Sequence, residues 1–172
     1  MKERIFLIGF MGTGKTTVGE HLAGRLDYRL QDSDHLIVER EGRTIPELFT
    51  TEGEPYFRQR ETEALQEVAQ QERVVVTTGG GAVLAATNRE LMASSGVVVA
   101  LTATVEEIVR RVSEDRNRPL LESAQDLRQR VESLLDARRG LYDFATITVD
   151  TTGRTVETIT TEILERLSAL TR

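Results

Sequence analysis

The sequence predicts an α/β fold in which a parallel β-sheet of about five strands is flanked by helices. Short apolar runs that suit buried strands recur along the chain, and a helix-compatible stretch follows each of them. The runs lie at 5–8, 74–76, 97–101 and 145–149, and a fifth strand is expected near 28–31. Because strands that alternate with helices pair in parallel through right-handed crossovers, helices are expected to cover this sheet.

Two segments interrupt the alternation of strands and helices. Residues 34–72 suggest two or three successive helices, and 113–124 is a charged stretch that contains Arg118 and Pro119. Open α/β sheets bind ligands beyond the carboxyl ends of their strands, so we expect 34–72 to bind a substrate and 113–124 to form a lid there. A surface loop of no special role is the alternative for 113–124. Without a linker or repeat, one domain is expected over residues 1–172.

The composition argues against several classes of protein. Lys and Arg total 22 against 28 Asp and Glu, which gives a formal net charge of −6 and disfavours broad attraction to nucleic acid or anionic lipid. Aromatic residues make up 5% of the chain, so stacking platforms for bases are scarce. The chain has no cysteine and only two histidines, His21 and His35, which argues against disulfides, cysteine nucleophiles and a zinc enzyme.

The apolar runs are too short for a membrane protein. The first run, 5–8, ends at a glycine and is shorter than the apolar region of a signal peptide. No run approaches the roughly 20 residues that span a bilayer. We expect a cytoplasmic location and, by default, a monomer.

Residues 9–16, with the sequence GFMGTGKT, match the glycine-rich P-loop in full and lie between a strand-like and a helix-like segment. Glycines let the backbone curl around phosphates, and the positive end of the helix near Lys15 attracts them. Lys15 is expected to reach the β- and γ-phosphates, and the Thr16 hydroxyl to ligate Mg²⁺. The nucleotide-binding residues are expected to be Gly12, Thr13, Gly14, Lys15, Thr16 and Thr17.

The P-loop implies ATP with Mg²⁺ as the co-substrate. GTP is the alternative nucleotide, but the chain lacks the Asn-Lys-x-Asp motif that reads guanine. The remaining alternative is a glycine-rich turn that binds no ligand.

Two carboxylates, Asp32 and Asp34, flank Ser33 where the second strand is expected to end. One can hold magnesium through a water molecule while the other orients an acceptor hydroxyl, as phosphoryl transfer requires. The alternative is a helix N-cap, since Ser33 and Asp34 precede a helical stretch.

Candidate groups for binding an anionic substrate follow later in the chain. Arg58 lies near the start of a long amphipathic helix whose other charged residues are expected to be solvated. Gly79, Gly80 and Gly81 follow the apolar strand 73–78 and are expected to expose backbone N–H groups to a ligand. The arginines at 118, 138 and 139 offer planar forks that suit carboxylate or phosphate, although a solvated surface position also explains Arg139.

This ordered set of motifs resembles the shikimate kinase family. The similarity rests on residues 9–19, the Asp-Ser-Asp at 32–34, Phe57-Arg58, the glycines at 79–81, Arg118-Pro119-Leu120-Leu121, and Arg138 before Tyr142. It covers nearly the whole chain. A P-loop alone occurs in many unrelated enzymes, whereas the full set at these spacings is far more specific.

The resemblance implies a P-loop kinase fold and transfer of the γ-phosphate of ATP to the 3-hydroxyl of shikimate, a step in aromatic amino acid biosynthesis. It also implies that Asp34 contacts the accepting hydroxyl and that Asp32 holds Mg²⁺ through water. Arg58 and Arg138 would bind the substrate carboxylate, and Gly80 would bind through its backbone.

For the nucleotide, the resemblance makes 113–124 a closing lid that brings Arg118 onto the phosphates. Arg111 and Arg154 would approach the base or ribose. Because Arg110-Arg111 and Arg138-Arg139 are both doublets, the choice within each pair rests on spacing.

Two other functions remain open from the residues alone. One is a different P-loop small-molecule kinase, acting on gluconate or a nucleoside monophosphate. The other is a non-catalytic nucleotide-binding module that switches a partner protein.

Overall fold

The computed structural model describes residues 3–114 and 123–172 and contains the predicted parallel sheet. Its five strands are β1 (Arg4–Gly9), β2 (Arg29–Asp32), β3 (Val74–Thr77), β4 (Val97–Thr102) and β5 (Ile147–Asp150). They lie in the order β2-β3-β1-β4-β5, and every neighbouring pair is parallel. The α/β prediction is confirmed, and the strand positions agree with the apolar runs to within about two residues.

Helices follow or connect these strands within the described residues. They are α1 (Lys15–Leu26), α2 (Ser33–Glu41), α3 (Ile45–Thr51), α4 (Glu54–Val68), α5 (Ala86–Ser95), α6 (Val105–Glu114), α7 (Ala124–Ala137) and α8 (Val156–Leu170), with a short 3₁₀ turn at Ala82–Leu84. The successive helices predicted for 34–72 are α2, α3 and α4. Thr44 and Glu47 form a capping box that starts α3, and a left-handed Gly42 ends α2.

Side-chain alternation along β1 divides the core between the two faces of the sheet. Phe6 and Ile8 pack with α4 and α5 residues such as Leu65 on one face. Ile5 and Leu7 pack on the other face, with α1 and α8 residues such as Leu22 and Ile163. A third cluster joins the P-loop to the last helices before β5, and its buried members are Phe10, Ile108, Val112, Leu127 and Val131.

The predicted limits of the 113–124 segment differ from the structure. Helix α6 extends through Glu114, and Ser123 caps α7 by accepting a hydrogen bond from the Asp126 N–H. The two ends of the predicted lid therefore belong to helices or their caps. Residues 115–122, including Arg118, lie outside the described residues. None of the helices in the described ranges is long and apolar enough to cross a membrane.

Candidate active site

The loops that follow β1, β2 and β3 meet at the carboxyl edge of the sheet and enclose a cavity of about 380 Å³. It is lined by Met11, Gly12, Gly14, Lys15, Thr16, Thr17, Asp32, Asp34, Thr78, Gly79, Gly80, Arg111 and Val112. Most of these are residues that the sequence nominated for nucleotide, metal or substrate. A larger, mainly apolar cavity of about 590 Å³ lies between α1, α8 and the start of β4, and its lining has no charged side chain. Phosphoryl chemistry therefore points to the smaller cavity.

The P-loop has the backbone shape that phosphate binding needs. Gly9, Gly12 and Gly14 have φ angles of 152°, 76° and 100°, which L-residues with side chains rarely adopt. Gly14 is the N-cap of α1, and within the described residues it makes no side-chain cap hydrogen bond. The first residues of this 12-residue helix, Lys15 to Thr17, line the cavity, and the first N–H groups of a helix suit an anion.

The Lys15 side chain folds back over the P-loop. Its Nζ donates hydrogen bonds to the carbonyl oxygens of Gly9 at 2.6 Å and Phe10 at 3.0 Å. The ammonium group is also near enough to Asp34 to oppose the rise that burial causes in the pKa of that carboxyl. Lys15 therefore stands between the phosphate loop and the nearest carboxylate of the cavity.

Asp32 is both a helix cap and a cavity residue. One carboxylate oxygen accepts from the His35 N–H at 2.9 Å, and the other accepts from the Thr77 hydroxyl at 2.7 Å. The N-cap alternative is thus correct, but for Asp32 rather than for Ser33 or Asp34. Hydroxyl and carboxylate oxygens suit Mg²⁺, so the Thr16 and Asp32 side chains on the same cavity fit that ion. With both its oxygens engaged, Asp32 is better suited to hold the ion through water than directly.

Asp34, in the first turn of α2, has an unusual carboxyl group. Burial is the main cause that raises its pKa from 3.8 to about 6, and the nearby Asp32 charge adds to the shift. Lys15 and Arg58 oppose it. Its Oδ1 is buried and has no hydrogen-bond partner among the described residues. A buried acceptor of this kind is typical of a group that binds a ligand.

Arg58 is held by a glutamate that the sequence analysis missed. Its Nη1 lies 3.0 Å from Oε1 of Glu61, one turn further along α4. The Glu61 side chain is 1% exposed, so the expectation that the other charged residues of this helix are solvated is wrong at this position. Burial raises the pKa of Glu61, and Arg58 opposes that rise. The spacing of three residues between Arg58 and Glu61 was the one sequence feature that indicated this pair, but many solvent-exposed pairs on helices have the same spacing.

Arg138 lies directly after α7 and reaches the triple-glycine segment. Its Nη1 donates to the Gly80 carbonyl oxygen at 3.0 Å, and its guanidinium carbon lies 5.3 Å from the centre of the Phe10 ring. Arg139 instead pairs with Asp136 on the surface, where its side chain is 83% exposed. The structure thus directs the first arginine of this doublet toward the cavity and the second toward solvent.

The doublet on α6 divides in the same way. Arg111 donates to the Gly12 carbonyl oxygen at 2.9 Å and to both oxygens of Thr151, whereas Arg110 pairs with Glu107 and Glu114 on the surface. The buried Thr151 was not predicted. Its hydroxyl lies 2.9 Å from the Thr13 carbonyl oxygen and 3.0 Å from the Thr102 carbonyl oxygen, and its one proton is shared between these two acceptors. This contact connects β4 and the end of β5 to the P-loop.

A second cavity of about 270 Å³ adjoins the P-loop. It is lined by Gly12, Thr13, Gly14, Thr17, Val18, Arg111, Thr151, Arg154, Val156 and Ile159. Arg154 is held there by hydrogen bonds to the Asp150 carbonyl oxygen and to Glu162. The two arginines nominated for the base or ribose therefore border one space, beside the phosphate cavity.

Comparison with known proteins gives the family. The model of the Shikimate kinase family matches residues 11–168. The chain belongs to the shikimate kinase family. A shikimate kinase of Geobacter metallireducens is 50% identical over 159 residues, which are 92% of this chain and 88% of that protein. The predicted family, and with it an ATP-dependent kinase, is confirmed.

Solved structures agree with this membership in the shikimate kinase family. A shikimate kinase from Acinetobacter baumannii in complex with shikimate has a TM-score of 0.89 and 41% identity, covering 97% of this chain and 93% of that one. A gluconokinase from Sinorhizobium meliloti 1021 has a TM-score of 0.62 at 20% identity, covering 98% and 93% of the two chains. That second likeness shows the fold alone.

Proposed function

We propose that this chain transfers the γ-phosphate of ATP to the 3-hydroxyl of shikimate. One observation carries the proposal: a buried oxygen of Asp34, which has no hydrogen-bond partner in the part of the chain that the structure describes, lies in the same cavity as the P-loop, with Arg58 and Arg138 close by. A polyol with one carboxylate matches this set of groups. The similarity to an enzyme solved with shikimate supports the choice among such acids.

Arg58 and Arg138 are the proposed carboxylate ligands. They come from α4 and from the end of α7, and both approach the segment 79–81. Two planar guanidinium groups from different elements can hold one carboxylate in a fixed orientation. The backbone of Gly80 lies beside Arg138, where it can contact the same substrate.

Asp34 is the proposed partner of the accepting hydroxyl. The hydroxyl oxygen bonds to the γ-phosphorus as the bond from phosphorus to the bridging oxygen breaks and leaves its electron pair on ADP. The hydroxyl proton passes to Asp34, whose pKa near 6 leaves it ionised at neutral pH yet basic enough to accept a proton. A loose transition state needs this transfer only late, so orientation of the hydroxyl is its first task.

The nucleotide would be held by the P-loop, with Lys15 turning to its phosphates and Arg111 and Arg154 beside the base or ribose. Mg²⁺, when bound through Thr16 and a water on Asp32, supplies positive charge that offsets the phosphates. The proposed role of Arg118 falls outside the described residues.

The test is ADP release with Mg-ATP and a panel of acceptors, namely shikimate, quinate, gluconate and AMP, with Lys15→Ala as the blank. Shikimate-dependent ADP release that the blank lacks supports the proposal. Turnover with another acceptor alone would keep the kinase and reject the substrate. Binding of ATP without turnover on any acceptor would favour a nucleotide-dependent switch instead.

A further inference from the structure

Each glycine of the segment 79–81 faces the charged end of a different side chain. A methyl group placed on Gly79 would lie 2.8 Å from both carboxylate oxygens of Asp34. One placed on Gly81 would overlap both terminal nitrogens of Arg58 and lie 2.7 Å from its Cζ. At Gly80 the nearest atom would be Nη1 of Arg138, at 3.4 Å.

A positive φ angle does not account for these three glycines. None of them is among the glycines with positive φ, and Gly81 has φ −95° and ψ 2°, which alanine also adopts. The usual reason for glycine in a phosphate-binding turn therefore does not apply to this segment. The remaining reason is space, and the space at Gly79 and Gly81 is filled by functional groups.

We propose that Gly79 and Gly81 are positioning residues, whose missing side chains set the places of the Asp34 carboxylate and the Arg58 guanidinium. The inference rests on the proposed function and deepens it. It assigns the two outer glycines to the protein's own catalytic and substrate-binding groups rather than to direct contact with the substrate. A methyl group on Gly80 would have more room, so Gly80 keeps the role proposed above, which is to contact the substrate through its backbone beside Arg138.

The segment is anchored, so an added methyl group would displace the side chains rather than the backbone. Before it, the Thr78 N–H and hydroxyl both donate to the Leu7 carbonyl oxygen, at 3.2 and 2.8 Å. After it, the buried Asn88 donates to the Ala82 carbonyl oxygen at 3.0 Å and accepts from Thr62 of α4 at 2.8 Å. The backbone of 79–81 is thus fixed between β1 and the helix that carries Arg58.

Asp34 and Arg58 have different proposed roles, so substitutions at Gly79 and Gly81 are expected to change different kinetic constants. Arg58 is long and can swing its guanidinium aside, which loosens the hold on the substrate carboxylate. Asp34 is short, and a shift of about 1 Å at the accepting hydroxyl costs up to about a hundredfold in rate. Gly81→Ala should therefore raise KM for the acceptor about 10- to 100-fold with kcat nearly unchanged, and Gly79→Ala should lower kcat about 100-fold.

The experiment measures kcat and KM for both substrates in the full-length protein, using the acceptor that the panel identifies. If wild type turns over no acceptor, the proposed function fails before any glycine is changed, so the two failures are distinguishable. Gly24→Ala is the matched control, because a methyl at Gly24 in α1 would have no atom of the described residues within 4 Å. KM for ATP and the thermal midpoint should stay close to wild type in all three variants.

Double variants distinguish a positioning role of Gly81 from a general effect on stability. If Gly81 acts through Arg58, Gly81→Ala has no further effect once Arg58 is alanine, and its effect persists in Asp34→Asn. Full additivity of Gly81→Ala with Arg58→Ala would overturn the proposal. So would a fall of more than about 8 °C in the thermal midpoint of both single variants, since the backbone would then have yielded.

Discussion

Two glycine-rich loops follow the neighbouring strands β1 and β3 at the same edge of the sheet, and they need glycine for different reasons. In the P-loop, Gly12 and Gly14 have positive φ, so the requirement lies in the backbone itself. In the segment 79–81 the backbone is ordinary, and the requirement comes from Asp34 and Arg58, which are distant in sequence. Where the backbone itself requires glycine, as in the P-loop, the glycines form a sequence pattern that can be recognised locally. Where glycine is required for space, as at 79–81, the requirement depends on residues elsewhere in the chain.

The largest effect should come from the carboxylate beside Gly79. Asp34→Asn removes the proton acceptor without adding bulk, so turnover should fall by about a thousandfold. ATP binding should change little because the P-loop is intact. Steady-state kinetics and calorimetric titration with ATP measure the two quantities. Normal turnover in this variant would remove Asp34 from the mechanism and with it the role assigned to Gly79.

The next effect concerns the arginine beside Gly81. Arg58→Ala should raise KM for the acceptor by about 30- to 160-fold, since a charge-assisted pair to a carboxylate contributes about 2–3 kcal/mol. KM for ATP should stay the same. Arg139→Ala is the matched control, because Arg139 is exposed and pairs only with Asp136 among the described residues. An unchanged acceptor KM in Arg58→Ala would contradict the proposed carboxylate site.

A substitution at Gly14 tests whether the P-loop needs glycine for its backbone conformation. Gly14→Ala forces a residue with a side chain to φ 100°, which costs about 1–2 kcal/mol, although the nearest atom to the new methyl is 3.9 Å away. We expect a lower free energy of unfolding and weaker ATP binding, both measured by denaturant titration and calorimetry. If Gly14→Ala were as stable as Gly81→Ala, the distinction between conformation and space would fail.

The smallest effect is the pH dependence set by Asp34. Its pKa near 6 means that kcat/KM should fall about fourfold by pH 5.5, as protonation removes the acceptor. Since this folded pKa exceeds the ordinary 3.8, the contribution of Asp34 to stability is present below about pH 4 and is lost as the pH rises through about 6.

Asp34→Asn isolates that contribution from Glu61, whose pKa is also raised. The variant should gain about 3 kcal/mol in free energy of unfolding over wild type at pH 7, the free energy that corresponds to a pKa raised from 3.8 to about 6, and little at pH 4. Denaturant titration at both pH values measures the difference. A destabilised variant at pH 7 would mean that the ionised Asp34 is stabilised by Lys15 and Arg58 more than burial costs.

Much of the fold followed from the sequence because parallel, buried strands are continuous apolar runs between helices. The P-loop and the Asp-Ser-Asp segment were likewise visible, since both are local patterns. The sequence did not indicate the burial of Glu61, the capping role of Asp32 or the hydrogen bond from Thr151 to Thr13. Each depends on which neighbour a polar side chain meets after folding, and spacing along one element does not determine that.

The sheet order also bears on how the chain is made. β1 is synthesised before β2, β3, β4 and β5, yet it occupies the centre of the sheet and pairs with β3 and β4, which begin at residues 74 and 97. The carbonyl oxygen of Thr13 in the P-loop is bonded by Thr151, near the end of the chain. The nucleotide loop therefore leaves the ribosome well before Thr151, the residue that completes its contacts, so a chain stalled before β5 should not give the loop its final shape.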